Sequence, residues 1–155
     1  METYFKLALE EAMQGIENGD GAPFGACIVN NGQIVALAHD TVLKENDATC
    51  HAEMNAIRIA SKQLATYRLD SSIIYCTSEP CPMCLSAIHW SGIQQCHFIA
   101  DRKCAAEYGF DDDLLYDELT KPIQKRTMSI IHQAKLYDNV RNLFEYWKEK
   151  GLPLC

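Results

Sequence analysis

Apolar residues at Phe5, Leu9, Ala12 and Ile16 recur at helical spacing, and Asn18-Gly19 ends the run, so a first helix is predicted over residues 2 to 18. Two apolar runs follow, Phe24 to Val29 and Gln33 to Ala38, on either side of Asn30-Asn31-Gly32. An Asn-Gly pair between such runs signals a hairpin, because both residues tolerate the positive φ of a tight turn. A polar loop spans 40 to 47. The next segment is helical, with Met54, Ile57 and Leu64 expected on its buried side and Asp47 expected to cap it from a start near Ala48. Ser72 to Thr77 reads as a strand, Pro82 suits the first turn of a helix running to Trp90, and Gln95 to Ala100 reads as another strand. Beyond it, 101 to 108 and 113 to 119 look helical, Met128 to Ala134 is predicted as a fifth strand, and Val140, Leu143, Phe144 and Trp147 form one face of a final helix over 138 to 150. The elements predict an α/β layer architecture, a sheet of five strands with helices on both sides, in a single domain over residues 1–155. No internal repeat, low-complexity tract or interdomain linker interrupts it.

Two motifs on this frame carry chemistry: His51-Ala52-Glu53 and Pro80-Cys81-Pro82-Met83-Cys84. A catalytic zinc wants three protein ligands and one open position for water, and His51, Cys81 and Cys84 supply one imidazole and two thiolates. Glu53, two residues past the histidine, is expected to point into the site beside the metal without joining it, where a proton shuttle belongs. Such a site generates a nucleophile from water at neutral pH and directs it at an sp² carbon bearing an amino group; ammonia leaves and a carbonyl replaces the amine. Both ligand groups are expected at helix N-termini, whose positive ends favour thiolate over thiol. The pairing of H-x-E with P-C-x-x-C is the known signature of zinc deaminases. Taken singly, His51 reads as an ordinary core or surface histidine, and CPMC as a redox pair or half of a structural zinc site. A structural site needs a fourth ligand, for which Cys76 is available but lies within a strand-like run; a redox reading leaves His51 and Glu53 without a task.

Composition narrows the partner. The chain carries 21 acidic against 14 basic residues, a net charge of −7, whereas a protein that grips a polyanion gathers lysine and arginine on one face. A small-molecule substrate is expected and nucleic acid is not, with Lys121, Lys125 and Arg126 read as a solvated surface. Of the eight cysteines, Cys27, Cys76 and Cys96 sit in apolar runs and read as small core residues, while Cys50, Cys104 and Cys155 have no assigned role. The first residues, METYFKLALEEAMQGIENG, carry acids and lack the apolar core of a signal peptide, and no stretch approaches a membrane span. A cytoplasmic enzyme with reduced thiols is expected.

Over nearly its full length the chain resembles the cytidine deaminase superfamily and, within it, the bacterial guanine deaminases. The stretches that carry the likeness are PFGACIV at 23 to 29, NDATCHAEMNAIRIA at 46 to 60, SEPCPMCLSAIHW at 78 to 90 and GFDDDLLYDE at 109 to 118. The resemblance implies a three-layer α/β/α sandwich around a mixed sheet, and one zinc ion per subunit with a bound water or hydroxide. It implies hydrolytic deamination of a free purine-like base, guanine first, to xanthine and ammonia. It further implies that Phe24 stacks on one face of the base with His51 near the other, that the backbone around Ala52 hydrogen-bonds the base, that Trp90 walls the pocket and that Asp112 approaches the substrate's amino group. On residue type alone Phe24 and Trp90 are core aromatics and Asp111 to Asp113 an exposed acidic turn. A homodimer with exchanged C-terminal segments is also implied. The other functions to weigh are a tRNA adenosine deaminase, which shares HAE and PCxxC, and a non-catalytic zinc-stapled binding module, in which Glu53 is idle.

Two positions depart from the family pattern. Eleven residues before the histidine the superfamily usually has an asparagine, and here stands Asp40. An ionised aspartate only accepts, so facing guanine's carbonyl and ring-nitrogen acceptors it would cost on the order of 2–5 kcal/mol. The expectation is a substrate that offers Asp40 a donor, such as an aminopurine, aminotriazine, pterin or cytosine. The family's tail usually brings an aromatic residue over the site, whereas here the sequence reads Gly151-Leu152-Pro153-Leu154-Cys155.

Overall fold

Asn31 and Gly32 take φ of 48° and 79° and close the two-residue turn between β1 (Gly25–Asn30) and β2 (Gln33–His39), as their sequence demands. The computed structural model describes residues 1–153; Leu154 and Cys155, the last of the tail considered above, lie outside the described residues. The chain falls into two compact units, residues 1–113 and 114–155, and each is described by itself.

The first unit opens with α1 (Glu2–Asn18), continues through β1 and β2 to a short α2 (Val42–Glu45) within the predicted loop, and then to α3 (Ala52–Leu64). After these come β3 (Ser72–Ser78), α4 (Pro82–Trp90), β4 (Gln95–Ala100) and α5 (Arg102–Glu107). The sheet order is β2-β1-β3-β4, with β1 antiparallel to both neighbours and β3 parallel to β4, so the sheet is mixed as expected. Strand alternation divides the core between two layers of helix. Ala26, Ile28, Ile74 and Cys76 face Ala52, Ala56 and Ala60 of α3 and Ile88 of α4. Cys27, Val29 and Tyr75 face Ala8 of α1, with Tyr4 and Phe5 beside them. That is the three-layer arrangement.

The packed faces of the helices differ from the sequence reading. Alanines fill them: Ala8 and Ala12 on α1, Ala52, Ala56 and Ala60 on α3, whereas Leu9 and Ile16 are about half exposed. Small side chains bring helix and sheet close together, and the large apolar residues are left at the margins, with Ile57 and Leu64 packing only against the edge of the core. Helix α3 also starts later than expected. Asp47 does not cap it; its carboxylate accepts from the Thr49 N–H at 2.7 Å and closes a turn, and the N-cap falls on His51.

The second unit holds α6 (Asp113–Thr120), 3₁₀ turns at Ile123–Lys125 and Ala134–Leu136, and α7 (Tyr137–Glu149). The fifth strand expected at Met128 to Ala134 is absent, and the sheet has four strands. A strand exists only where a neighbour completes its ladder, and here Met128 and Ile131 are 69% and 73% exposed. Lys121 is paired with Glu118 at 2.9 Å, which accounts for one cation of the predicted solvated patch. None of the described residues 114–153 is buried, although Leu143, Phe144 and Trp147 lie on the expected apolar face of α7. Among the described residues no helix is long and apolar enough to cross a membrane.

Candidate active site

His51 and Cys81 are N-caps, of α3 and α4, and both have extended backbone, with ψ of 157° and 167°. On a regular helix, residues two apart point to opposite sides. Because His51 stands just outside the helix, its ring and the carboxylate of Glu53 instead converge. Pro82 occupies the first turn of α4 as predicted and carries Cys84 one turn beyond Cys81.

The ligand atoms of His51, Cys81 and Cys84 lie within 4.8 Å of one another, and each sulfur is 3.6 Å from His51 Nδ1. Zinc–sulfur and zinc–nitrogen bonds at a tetrahedral angle require a separation of about 3.5 Å, so the three donors fit zinc with one corner open. Their titration is coupled. Donation from Cys84, with His51 alongside and burial opposing, holds Cys81 down at about 4. Cys84 is pushed up by that same donation and by its burial. His51 is raised by its contact with the Cys81 sulfur, against the effect of burial. Glu53 is 7% exposed, and burial is the main cause that raises its carboxyl above the usual range. It touches Cys84 and feels the charges of Cys81 and His51. A buried acid beside three metal donors is equipped to hold a proton and give it up.

A model of the cytidine and deoxycytidylate deaminase zinc-binding region matches residues 1–100, which include all four of these side chains. The chain belongs to this deaminase family. It is 43% identical to the guanine deaminase of Bacillus subtilis over 147 residues, 95% of this chain and 93% of that one. The X-ray structure of the Bacillus subtilis guanine deaminase superposes with a TM-score of 0.86 at 41% identity, covering 96% and 93% of the two chains. The tRNA-specific adenosine deaminase of Bacillus subtilis is 42% identical, but over 63% of this chain and 60% of its own length. The protein is thus a zinc-dependent hydrolytic deaminase.

Around this deaminase centre, Phe24 packs at the margin of the core and meets Phe110 edge-on, with ring centroids 5.0 Å apart. Asp112 is half-buried and its carboxyl is raised, first by burial and then by the Cys81 charge, so the GFDD turn lies near the ligand set. Ala52 is fully buried in the first turn of α3, where a helix has backbone N–H groups without helical acceptors. Asp40 is 2% exposed and close enough to His51 to raise it. Trp90 is different. It ends α4, about 13 Å along the helix axis from its start, and is 72% exposed.

Three residues near the site escaped the sequence reading. Asn55 Nδ2 donates to the carbonyl oxygens of His39 and Cys50 and to Thr41 Oγ1, clamping the end of β2 to the start of α3. Arg102 donates its N–H to Glu79 Oε2 at 3.0 Å, and its guanidinium pairs with Asp113 at 3.0 Å, which ties the turn before Cys81 to the GFDD turn. Phe110 supplies the ring against Phe24. An open groove along β2, lined by Glu11, His39, Cys50 and Arg58, contains none of the ligands.

Proposed function

We propose that this deaminase acts on a free aminated purine-like heterocycle, with guanine the first candidate and xanthine and ammonia its products. The observation that carries the reading is the buried Glu53 carboxylate beside the three convergent donors His51, Cys81 and Cys84. Zinc, when bound by those donors, supplies the Lewis acidity that makes a nucleophile of water near neutral pH. Glu53 accepts one proton from the attacking water and passes it to the ring nitrogen next to the attacked carbon, then takes the second from the hydroxyl left on that carbon and delivers it to the departing amine. Water and the C–NH₂ group become a carbonyl and ammonia. Phe24 stacks on one face of the base with His51 toward the other, the backbone at Ala52 hydrogen-bonds its edge, and Asp112 receives the amino group. Likeness to guanine deaminase across nearly both chains supports the substrate class, and the acidic balance of 21 against 14 argues against a polyanion.

The assembly belongs to the same reading: a cytoplasmic homodimer in which the C-terminal helix, residues 138 to 150, packs on a second copy. What supports it is a C-terminal unit with no buried residue among those described, and an edge strand, β4, whose Phe98 and Ile99 are 44% and 52% exposed. The test of the catalytic claim is Glu53→Gln, expected to retain zinc and lose ammonia release; equal activity in the variant would remove the proton shuttle from the account. Inosine formation on an anticodon stem-loop, with free bases inert, would transfer the assignment to the tRNA-type reading.

A further inference from the structure

Asp40 is a buried carboxylate that the chemistry above does not use. Its neighbours fix its position beside the site. Its own N–H donates to Phe24 O at 3.1 Å. The flanking residues His39 and Thr41 are bonded to Asn55 Nδ2, and Thr41 N–H to Cys50 O at 2.9 Å, so Asp40 is held against the segment that carries His51. Its side chain is anchored by one oxygen only. Oδ1 accepts the N–H groups of Ala22 at 3.0 Å and Val42 at 3.2 Å, and packs so closely on Gly21 that a Cβ there would overlap it. Oδ2 has no hydrogen bond to the described residues, and no lysine or arginine pairs with the group.

Asp40 is only 2% exposed, so little water reaches an oxygen that lacks a protein donor, and a donor brought by a ligand would replace it. We infer that the substrate presents an N–H donor to Asp40 Oδ2, so that the site favours a base with an amino group where guanine has its carbonyl. Asp40 is then a specificity-determining residue; the inference rests on the deaminase reading and refines its substrate. Acceptor edges are excluded because a carboxylate offers them only lone pairs.

The experiment compares 2,6-diaminopurine with guanine as substrates of the zinc-loaded protein and of its Asp40→Asn variant. It also compares binding of the two bases to Glu53→Gln with and without the second change. Asparagine keeps an Oδ1 for Ala22 and Val42 and replaces Oδ2 with a donor, so the fold is retained. A charged hydrogen bond gained or lost predicts about tenfold or more in favour of 2,6-diaminopurine for the wild type. Asp40→Asn should move kcat/KM and affinity together toward guanine by on the order of thirtyfold. A ratio that stays within about threefold in the variant would leave Asp40 as a backbone anchor only, and a wild type that clearly prefers guanine would overturn the inference even if the variant does not fold. Absence of ammonia from either base, and from every other aminated ring tried, is a separate failure: it would remove the substrate reading on which the inference stands.

Discussion

Glu53 gains little structurally from its place. It is buried, its carboxyl is raised chiefly by that burial, and its neighbours are metal donors. Replacing it with glutamine keeps shape and hydrogen bonding but removes the proton carrier. We expect zinc content and thermal stability to hold while kcat falls by about 10² to 10⁴; an equal loss of zinc would make Glu53 a support for the ligands instead. Cys84→Ser, by contrast, should release the metal, read by zinc content of the purified variant. These residues were legible from sequence because ligand chemistry is written in residue type and local spacing. Asn55, Arg102 and Phe110 were not, because an amide, a guanidinium and a phenyl ring acquire their tasks from segments brought together only by the fold.

At the scale of elements, the helix periods and the hairpin were readable, but which face is packed was not. Large apolar residues are the usual signal, and here alanine decides the matter: Ala56 is fully buried where α3 meets the sheet. Ala56→Leu should therefore destabilise the protein by about 1–3 kcal/mol through overpacking, measured by denaturant unfolding; a neutral result would mean a looser contact than the one described. The join between α1 and β2 is electrostatic. His39 Nδ1 lies 3.0 Å from Glu11 and Nε2 3.0 Å from Asp20, so both ring nitrogens face carboxylates. Burial works against the charged ring, but the two carboxylates outweigh it and raise His39 overall. Its stabilising contribution is complete below the unfolded value of about 6.5 and disappears as pH rises through the folded one. Stability measured from pH 6 to 9 should fall in the wild type relative to His39→Gln, and parallel curves would contradict this assignment. Asp20, lowered first by His39, acts oppositely: its contribution is present above about 3.9 and lost in acid.

The whole molecule explains why the fifth strand was misread. Met128 to Ala134 has strand composition, yet pairing is a property of the neighbour as much as of the segment, and none of the described strands pairs with it. The apolar face of α7 points the same way, since Leu143 and Phe144 are 63% and 67% exposed in a single chain. A second copy is the proposed cover. Light scattering should give twice the 17.5 kDa chain mass, and Phe144→Asp should weaken that dimer; a monomer with full activity would refute the assembly. The acidic balance and the family lead to the proposed reaction, hydrolysis of an amino group on a free heterocycle. The direct measurement is ammonia release by the purified zinc-loaded protein across guanine, 2,6-diaminopurine, adenine, cytosine, aminotriazines and pterins, with Glu53→Gln as the blank. The account predicts zinc-dependent release from at least one aminated purine and none from the variant. Release from no base, or the same release from Glu53→Gln, would contradict it.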